Sequence, residues 1–376
     1  MATTVGAQTA LHRLQALGQS VWLDSISRDL IHSGALQRLV DQGLLGMTSN
    51  PTIFEKAITA GADYDDLLRQ EAHAGKSPSE IFEALAVRDI QEAADVLRPL
   101  YDRLDGEDGY VSLEVSPHLA GDTEGTIAEA ERLWKAVDRP NVMIKIPGTE
   151  AGLPAIAATL AKGINVNVTL LFDVDRYAAV TGAYLEGLER YARSGGAHPL
   201  RRIASVASFF VSRVDTLVDG LLEEKPEGKP EGKSLMGLAA VANAKRAYGI
   251  FNRVFGGERF APLKADGARV QRVLWASTST KNPAYPDLKY VDSLIGPHTV
   301  NTVPQPTLEA ILDHVVITEA LSEGMGEAEA QLEALKRAGI DMHAVGVKLE
   351  ADGVALFAKS YDDLLAAIEK KASAVA

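Results

Sequence analysis

The sequence predicts an α/β protein folded as a (β/α)8 TIM barrel with additional N- and C-terminal helices. Two observations carry this. Short apolar runs rich in β-branched and aromatic residues alternate with longer helical patterns, which implies parallel strands joined by crossover helices. Eight such runs occur in 376 residues, and eight units favour a closed barrel over an open doubly wound sheet, which stays the competing architecture.

The runs cover residues 21–24, 43–49, 110–116, 142–146, 164–171, 202–210, 269–276 and 299–303. Ser77-Pro78-Ser79-Glu80 offers a capping box with proline in the first turn, and Ile81, Leu85, Val96, Leu97, Leu100 and Leu104 continue as an apolar stripe. Residues 105–109 read as the turn into the third strand. Amphipathic stretches at 126–137, 173–194, 213–224 and 235–255 supply further crossover helices. Past the last strand, 307–314, 327–338 and 360–372 look helical. A single domain over 1–376 is expected, its barrel at roughly 20–304 and a helical appendage at 305–376 packed on it.

Composition narrows the function. The hydrophobic fraction is 46%, with no apolar run long enough to span a membrane. The opening MATTVGAQTALHRL lacks the charged and apolar regions of a signal peptide, so a cytoplasmic location is expected. With no cysteine there is no disulfide, thiolate catalysis or iron–sulfur cluster. A net charge of −13 argues against nucleic acid as a partner. An anionic substrate has to be held by a few placed basic groups.

Two features are set aside. Pro226-Glu227-Gly228-Lys229 repeats as Pro230-Glu231-Gly232-Lys233, a solvated loop by composition. Its Gly-Lys-Ser ending is not a phosphate-binding loop, since three residues rather than four separate Gly228 from Gly232 and no strand leads in. No metal is expected either: the histidines, His12 through His343, lack ligand spacing, and Asp173 and Asp175 stand where carboxylates cap a helix. His118 reads as a solvated loop residue.

The informative stretch is VMIKIPGTEAG, residues 142–152, where Lys145 lies among Val142, Met143, Ile144 and Ile146 and the strand stops at Pro147-Gly148. Burial disfavours an ammonium, so such a lysine is expected to be paired, or to serve as a neutral amine that attacks a carbonyl and forms a Schiff base. The competing account is a lysine whose stem packs while its head reaches water.

The ends of the other strands decide between these. Asp24 ends the first run and Asn50 follows the second; each alone is explained as a helix cap. Glu114 lies between Leu113 and Val115, and an inward glutamate needs a partner, which Lys145 on the next strand provides. Asn165, Asn167 and Thr169 alternate along the fifth run, Ser208 and Arg213 follow in the sixth, and Ser277-Thr278-Ser279-Thr280-Lys281 closes the seventh. Polar groups from six strands at one end of a barrel form a catalytic constellation rather than a set of caps.

WLDSISRDL, TSNPTIF, LEVSP, VMIKIPGTEAG, INVNVTLLF and ASFFVSRVD resemble, in order, the motifs of the transaldolase family in its longer bacterial branch. The resemblance implies a cofactor-independent transferase of the pentose phosphate pathway. Such an enzyme moves a dihydroxyacetone unit from sedoheptulose 7-phosphate to glyceraldehyde 3-phosphate, giving erythrose 4-phosphate and fructose 6-phosphate. It also implies roles. Lys145 matches the Schiff-base lysine, Glu114 an acid/base working with a water held by Thr169, and Asp24 the carboxylate that takes the hydroxyl proton. Asn50, Asn167 and Ser208 match positions that hold the dihydroxyacetone hydroxyls, and Arg213 the main phosphate contact. The family often has Ser-x-Arg after the seventh strand; here Ser277 is followed by Thr278, and Lys281 is expected to replace the arginine as a point charge without the bidentate fork. Phosphorylated sugars are the expected partners, with no nucleic acid and no membrane, for a monomer or homodimer.

Three other readings compete. A fructose 6-phosphate aldolase would share the lysine but release free dihydroxyacetone. A pyridoxal phosphate enzyme would need a phosphate-cradling glycine-rich loop, which is missing. A sugar-phosphate-binding barrel without catalysis would survive loss of Lys145.

Overall fold

The computed structural model describes residues 8–224 and 231–375. The eight runs form one closed barrel of parallel strands in chain order. The strands are β1 Gln19–Asp24, β2 Gly46–Thr48, β3 Tyr110–Glu114, β4 Val142–Pro147, β5 Val166–Leu171, β6 Ser205–Phe210, β7 Arg272–Ala276 and β8 Thr299–Val303. Several are shorter than the apolar runs because burial does not require ladder pairing. Leu44 and Leu45 are buried ahead of β2, and Asn165 is a brace rather than a strand residue: its amide nitrogen donates to the Pro140 and Val142 carbonyls and its oxygen accepts from Ala204 N. Asn165 therefore lies at the N-terminal end of the barrel, not among the polar groups at the mouth.

Register fixes which side chains face inward. β3 and β4 pair Ser112 with Met143 and Glu114 with Lys145, and β4 and β5 pair Lys145 with Asn167 and Pro147 with Thr169. Alternation then turns Glu114, Lys145, Asn167 and Thr169 into the barrel and sends Ile144, Ile146, Val166 and Val168 to the helical layer outside. At the opposite end, Trp22 lies across Gly46, where an added Cβ would meet the indole at 2.6 Å. The Trp22 Nε1 donates to Asp108 at 2.9 Å, and Arg272 pairs with the same carboxylate at 3.0 Å.

The crossover helices begin where the sequence has caps. Ser77 and Glu80 form the expected capping box of Pro78–Arg103, and Asp173 caps Val174–Arg193 by accepting from Arg176 N at 3.1 Å. A short N-terminal helix, Ala10–Ala16, is capped by Thr9. The repeat at 226–233 falls mainly outside the described residues, and Glu231–Ser234 forms a single helical turn. Among the described residues no helix is long and apolar enough to cross a membrane.

The C-terminal segment corrects the sequence reading. In place of a helix at 360–372, one helix of 34 residues, Met342–Val375, runs over the C-terminal mouth of the barrel. Gly346, Asp352 and Gly353 lower helix propensity in its first half and mask the period. The two glycines have a packing reason: a Cβ at Gly346 would stand 2.6 Å from Asp173 Cβ, and one at Gly353 2.9 Å from Leu170 Cδ2. Leu170 itself has φ 61, at a register shift between Val168 and Leu171. The absence of a side chain at Gly353 lets the helix pack against the Leu170 side chain, next to Thr169 in the strand.

Candidate active site

At the strand ends, under the C-terminal helix, lies a cavity of about 440 Å³ whose wall includes Asp24, Asn50, Lys145, Thr169, Ser208, Arg213, Ser277 and Lys281. Three larger cavities lie elsewhere: about 950 Å³ beside the start of the C-terminal helix, about 660 Å³ at the N-terminal ends of the strands, and about 610 Å³ between the helices Pro78–Arg103 and Thr123–Val137. None of the three holds a buried lysine flanked by buried carboxylates, so the smaller cavity is the candidate site.

Lys145 is 5% exposed. Its Nζ sits 3.2 Å from Glu114 Oε2 and donates to the Ser49 carbonyl at 3.2 Å, and the Phe357 ring centroid is 5.5 Å away. Apart from that ion pair, the Glu114 oxygens have no hydrogen-bonding partner among the described residues, and neither does Thr169 Oγ1. Buried polar atoms of this kind mark a place where a ligand or water is to be bound. Burial pushes the Glu114 carboxyl above its ordinary range; Lys145 opposes the shift and Asp24 adds to it. Burial also raises Asp24, against the charge of Lys145 and a 2.6 Å hydrogen bond from Thr48 Oγ1. Both carboxyls are thus more basic than exposed ones and lie within the field of one amine.

Asn50 fills two positions at once. Its side-chain oxygen accepts from Ile53 N at 3.0 Å as the N-cap of Pro51–Thr59, while the residue also lines the cavity, so the cap leaves the amide nitrogen free for a ligand. Asn167 is different. It lies beneath the cavity wall, donating to Ser112 Oγ at 3.0 Å and accepting from Ser208 Oγ at 2.7 Å. The structure places it as the brace that orients Ser208. Ser277, with φ 57, shares a 2.9 Å hydroxyl contact with Ser212 at the start of the helix carrying Arg213.

Arg213 lies over the Phe210 ring at 5.4 Å, and burial lowers its pKa from the usual value. Among the described residues neither Arg213 nor Lys281 has a carboxylate partner. Lys56, absent from the sequence reading, has none either and lines the same cavity. Thr52, Ile53 and Lys56 fall on one face of the helix after Asn50, and that spacing is the signal by which Lys56 could have been found. Leu356, Phe357 and Ser360 of the C-terminal helix were also missed.

For metals, Asp173, Asp175 and His343 bring ligand atoms within 4.8 Å of one another, but they line the 950 Å³ cavity, away from Lys145. Asp173 is engaged there as a helix cap and accepts from or pairs with His343 Nδ1 at 3.2 Å.

Comparison with known proteins bears on this geometry. The family model for transaldolase/fructose-6-phosphate aldolase matches residues 21–368. A transaldolase of Saccharopolyspora erythraea is 50% identical over 363 residues, covering 96% of this chain and 97% of its own length. Transaldolases of Mycolicibacterium paratuberculosis and Acidothermus cellulolyticus are 49% and 50% identical, each covering 96% of both chains.

Proposed function

The chain belongs to the transaldolase/fructose-6-phosphate aldolase family, and on that premise we propose that Lys145 is the amine through which it transfers a dihydroxyacetone unit between phosphorylated sugars. The donor is sedoheptulose 7-phosphate and the acceptor glyceraldehyde 3-phosphate, in the cytoplasm, with erythrose 4-phosphate and fructose 6-phosphate as products. The observation that carries the reading is the buried pair of Lys145 and Glu114 at 3.2 Å beside Asp24, at the mouth of one barrel.

Lys145 passes a proton to Glu114 across their 3.2 Å contact and its nitrogen adds to the ketose carbonyl: a carbon–nitrogen bond forms, the carbonyl π bond breaks, and its oxygen takes a proton from the nitrogen to become a hydroxyl. Glu114, whose carboxyl burial makes more basic than an exposed one, gives a proton to the departing hydroxyl, and water leaves. The protonated imine is an electron sink. Asp24 takes the proton of the hydroxyl beyond the adjacent carbon–carbon bond, the bond breaks, its electrons reach the imine nitrogen and the aldehyde leaves. The enamine then attacks the acceptor aldehyde, Asp24 returns its proton, and a water between Glu114 and Thr169 hydrolyses the new imine. Ser208, fixed by Asn167, and Asn50 hold the hydroxyls of the three-carbon unit, and Arg213 with Lys281 holds the phosphate.

Borohydride with fructose 6-phosphate is expected to inactivate the chain and leave a three-carbon adduct on Lys145, located by peptide mass mapping. Labelling at another residue overturns the assignment.

A further inference from the structure

We propose that Phe357 determines whether the three-carbon enamine is transferred or lost, by shielding the reacting carbon from solvent. The proposal rests on Lys145 being the imine-forming amine. Strand ends supply the carboxylates and hydroxyls of the site; the C-terminal helix supplies Leu356, Phe357 and Ser360 to the same wall. Phe357 is 5% exposed and its ring centroid stands 5.5 Å from Lys145 Nζ, so the wall nearest the amine on that side is apolar.

The ring is held where it is by contacts on both sides of it along the helix. Gly353, one turn earlier, lets the helix approach Leu170. Ser360, one turn later, accepts from Thr52 Oγ1 at 2.9 Å, and Tyr361 meets Phe82 edge-on at 5.7 Å. Lys371 then pairs with Asp65 at 2.7 Å and donates to the Ile58 and Gly61 carbonyls. An aromatic ring fixed this way is a barrier of defined position.

Transfer and loss differ in one step. In transfer, the enamine carbon forms a bond to the acceptor carbonyl carbon, whose oxygen takes the proton held by Asp24. In loss, the same carbon takes a proton from solvent, regenerating the iminium; water adds to it, the carbon–nitrogen bond breaks, and free dihydroxyacetone, the amine and a proton are returned. Hydrolysis of an imine is common to both courses, whereas protonation of the enamine carbon by solvent belongs to loss alone. Covering that carbon therefore slows loss selectively.

The experiment uses the full chain with Phe357→Leu and Phe357→Ala. Dihydroxyacetone released from fructose 6-phosphate alone, with its deuterium uptake in heavy water, is compared with transfer to erythrose 4-phosphate. The ratio of release to transfer is expected to rise about tenfold in Phe357→Ala and less in Phe357→Leu, with borohydride trapping at Lys145 retained. An unchanged ratio, or both rates falling by one factor, overturns the role of Phe357. Should Phe357→Ala fail to fold, Phe357→Leu keeps most of the buried surface and decides alone. Failure of the unaltered chain to trap at Lys145 would instead defeat the lysine assignment.

Discussion

Glu114 and Lys145 stand on the same rung of neighbouring strands, and their side chains meet at 3.2 Å inside the barrel. Parallel register brings together two residues 31 positions apart in sequence without any loop having to position them. Glu114→Gln keeps the shape and a hydrogen-bonding group but loses the proton that leaves with the hydroxyl. The rate of imine formation, read by borohydride quench, is expected to fall by about 10²–10⁴-fold, with sugar affinity largely kept.

Asp24 links activity and stability to pH. As a base it must be ionised, and because burial raises its pKa above the ordinary 3.8, the acid limb of kcat is expected above that value and to disappear in Asp24→Asn. For stability the sign is opposite. A carboxyl with a raised folded-state pKa binds its proton more tightly in the folded chain, so its contribution worsens as pH rises from 3.8 through the folded pKa. Asp24→Asn is therefore expected to lose cleavage while raising Tm at neutral pH, measured by thermal unfolding.

The three basic residues that line the cavity besides Lys145 differ in kind. Arg213 is half-buried over Phe210, whereas Lys56 and Lys281 are exposed. Arg213→Ala is expected to raise KM for phosphorylated sugars by about 100-fold, because a charge-assisted contact worth roughly 1.5–3 kcal/mol is lost, and to leave KM for free dihydroxyacetone almost unchanged. Lys56→Ala and Lys281→Ala are expected to raise KM only a few-fold, with a strong dependence on ionic strength. Equal effects of Arg213→Ala on phosphorylated and free substrates would remove it from the phosphate site.

The Asp108–Arg272 pair sits at the far end of the same strands, with Ser20 and Trp22 bonded to the same carboxylate. Asp108→Ala leaves a largely buried guanidinium without its counter-charge, a loss on the order of 3 kcal/mol. Tm is expected to drop with kcat unaltered at temperatures where the chain stays folded.

The barrel was legible because alternation of apolar runs and helical patterns is a property of the chain alone, and so was the polar character of the strand ends. What sequence could not separate was facing the cavity from lying under it. Asn167 and Thr169 share one strand face, yet the first braces Ser208 and the second opens to the cavity. Lys56 and Phe357 escaped for another reason: each lies on a helix, and which helical face meets the barrel is decided by packing. In the C-terminal helix the glycines that permit that packing are the residues that obscure its period.

Gly346, Gly353, Phe357 and Ser360 fall on one side of the last helix at spacings of seven, four and three. One residue added or removed between 346 and 357 turns everything beyond it by about 100°, swinging the aromatic ring off the lysine while every amino acid in the segment stays the same. Evolution can thus change the composition of that segment's outer side freely but has little freedom in its length, and chimeras joined within it should succeed only when the count of residues is preserved.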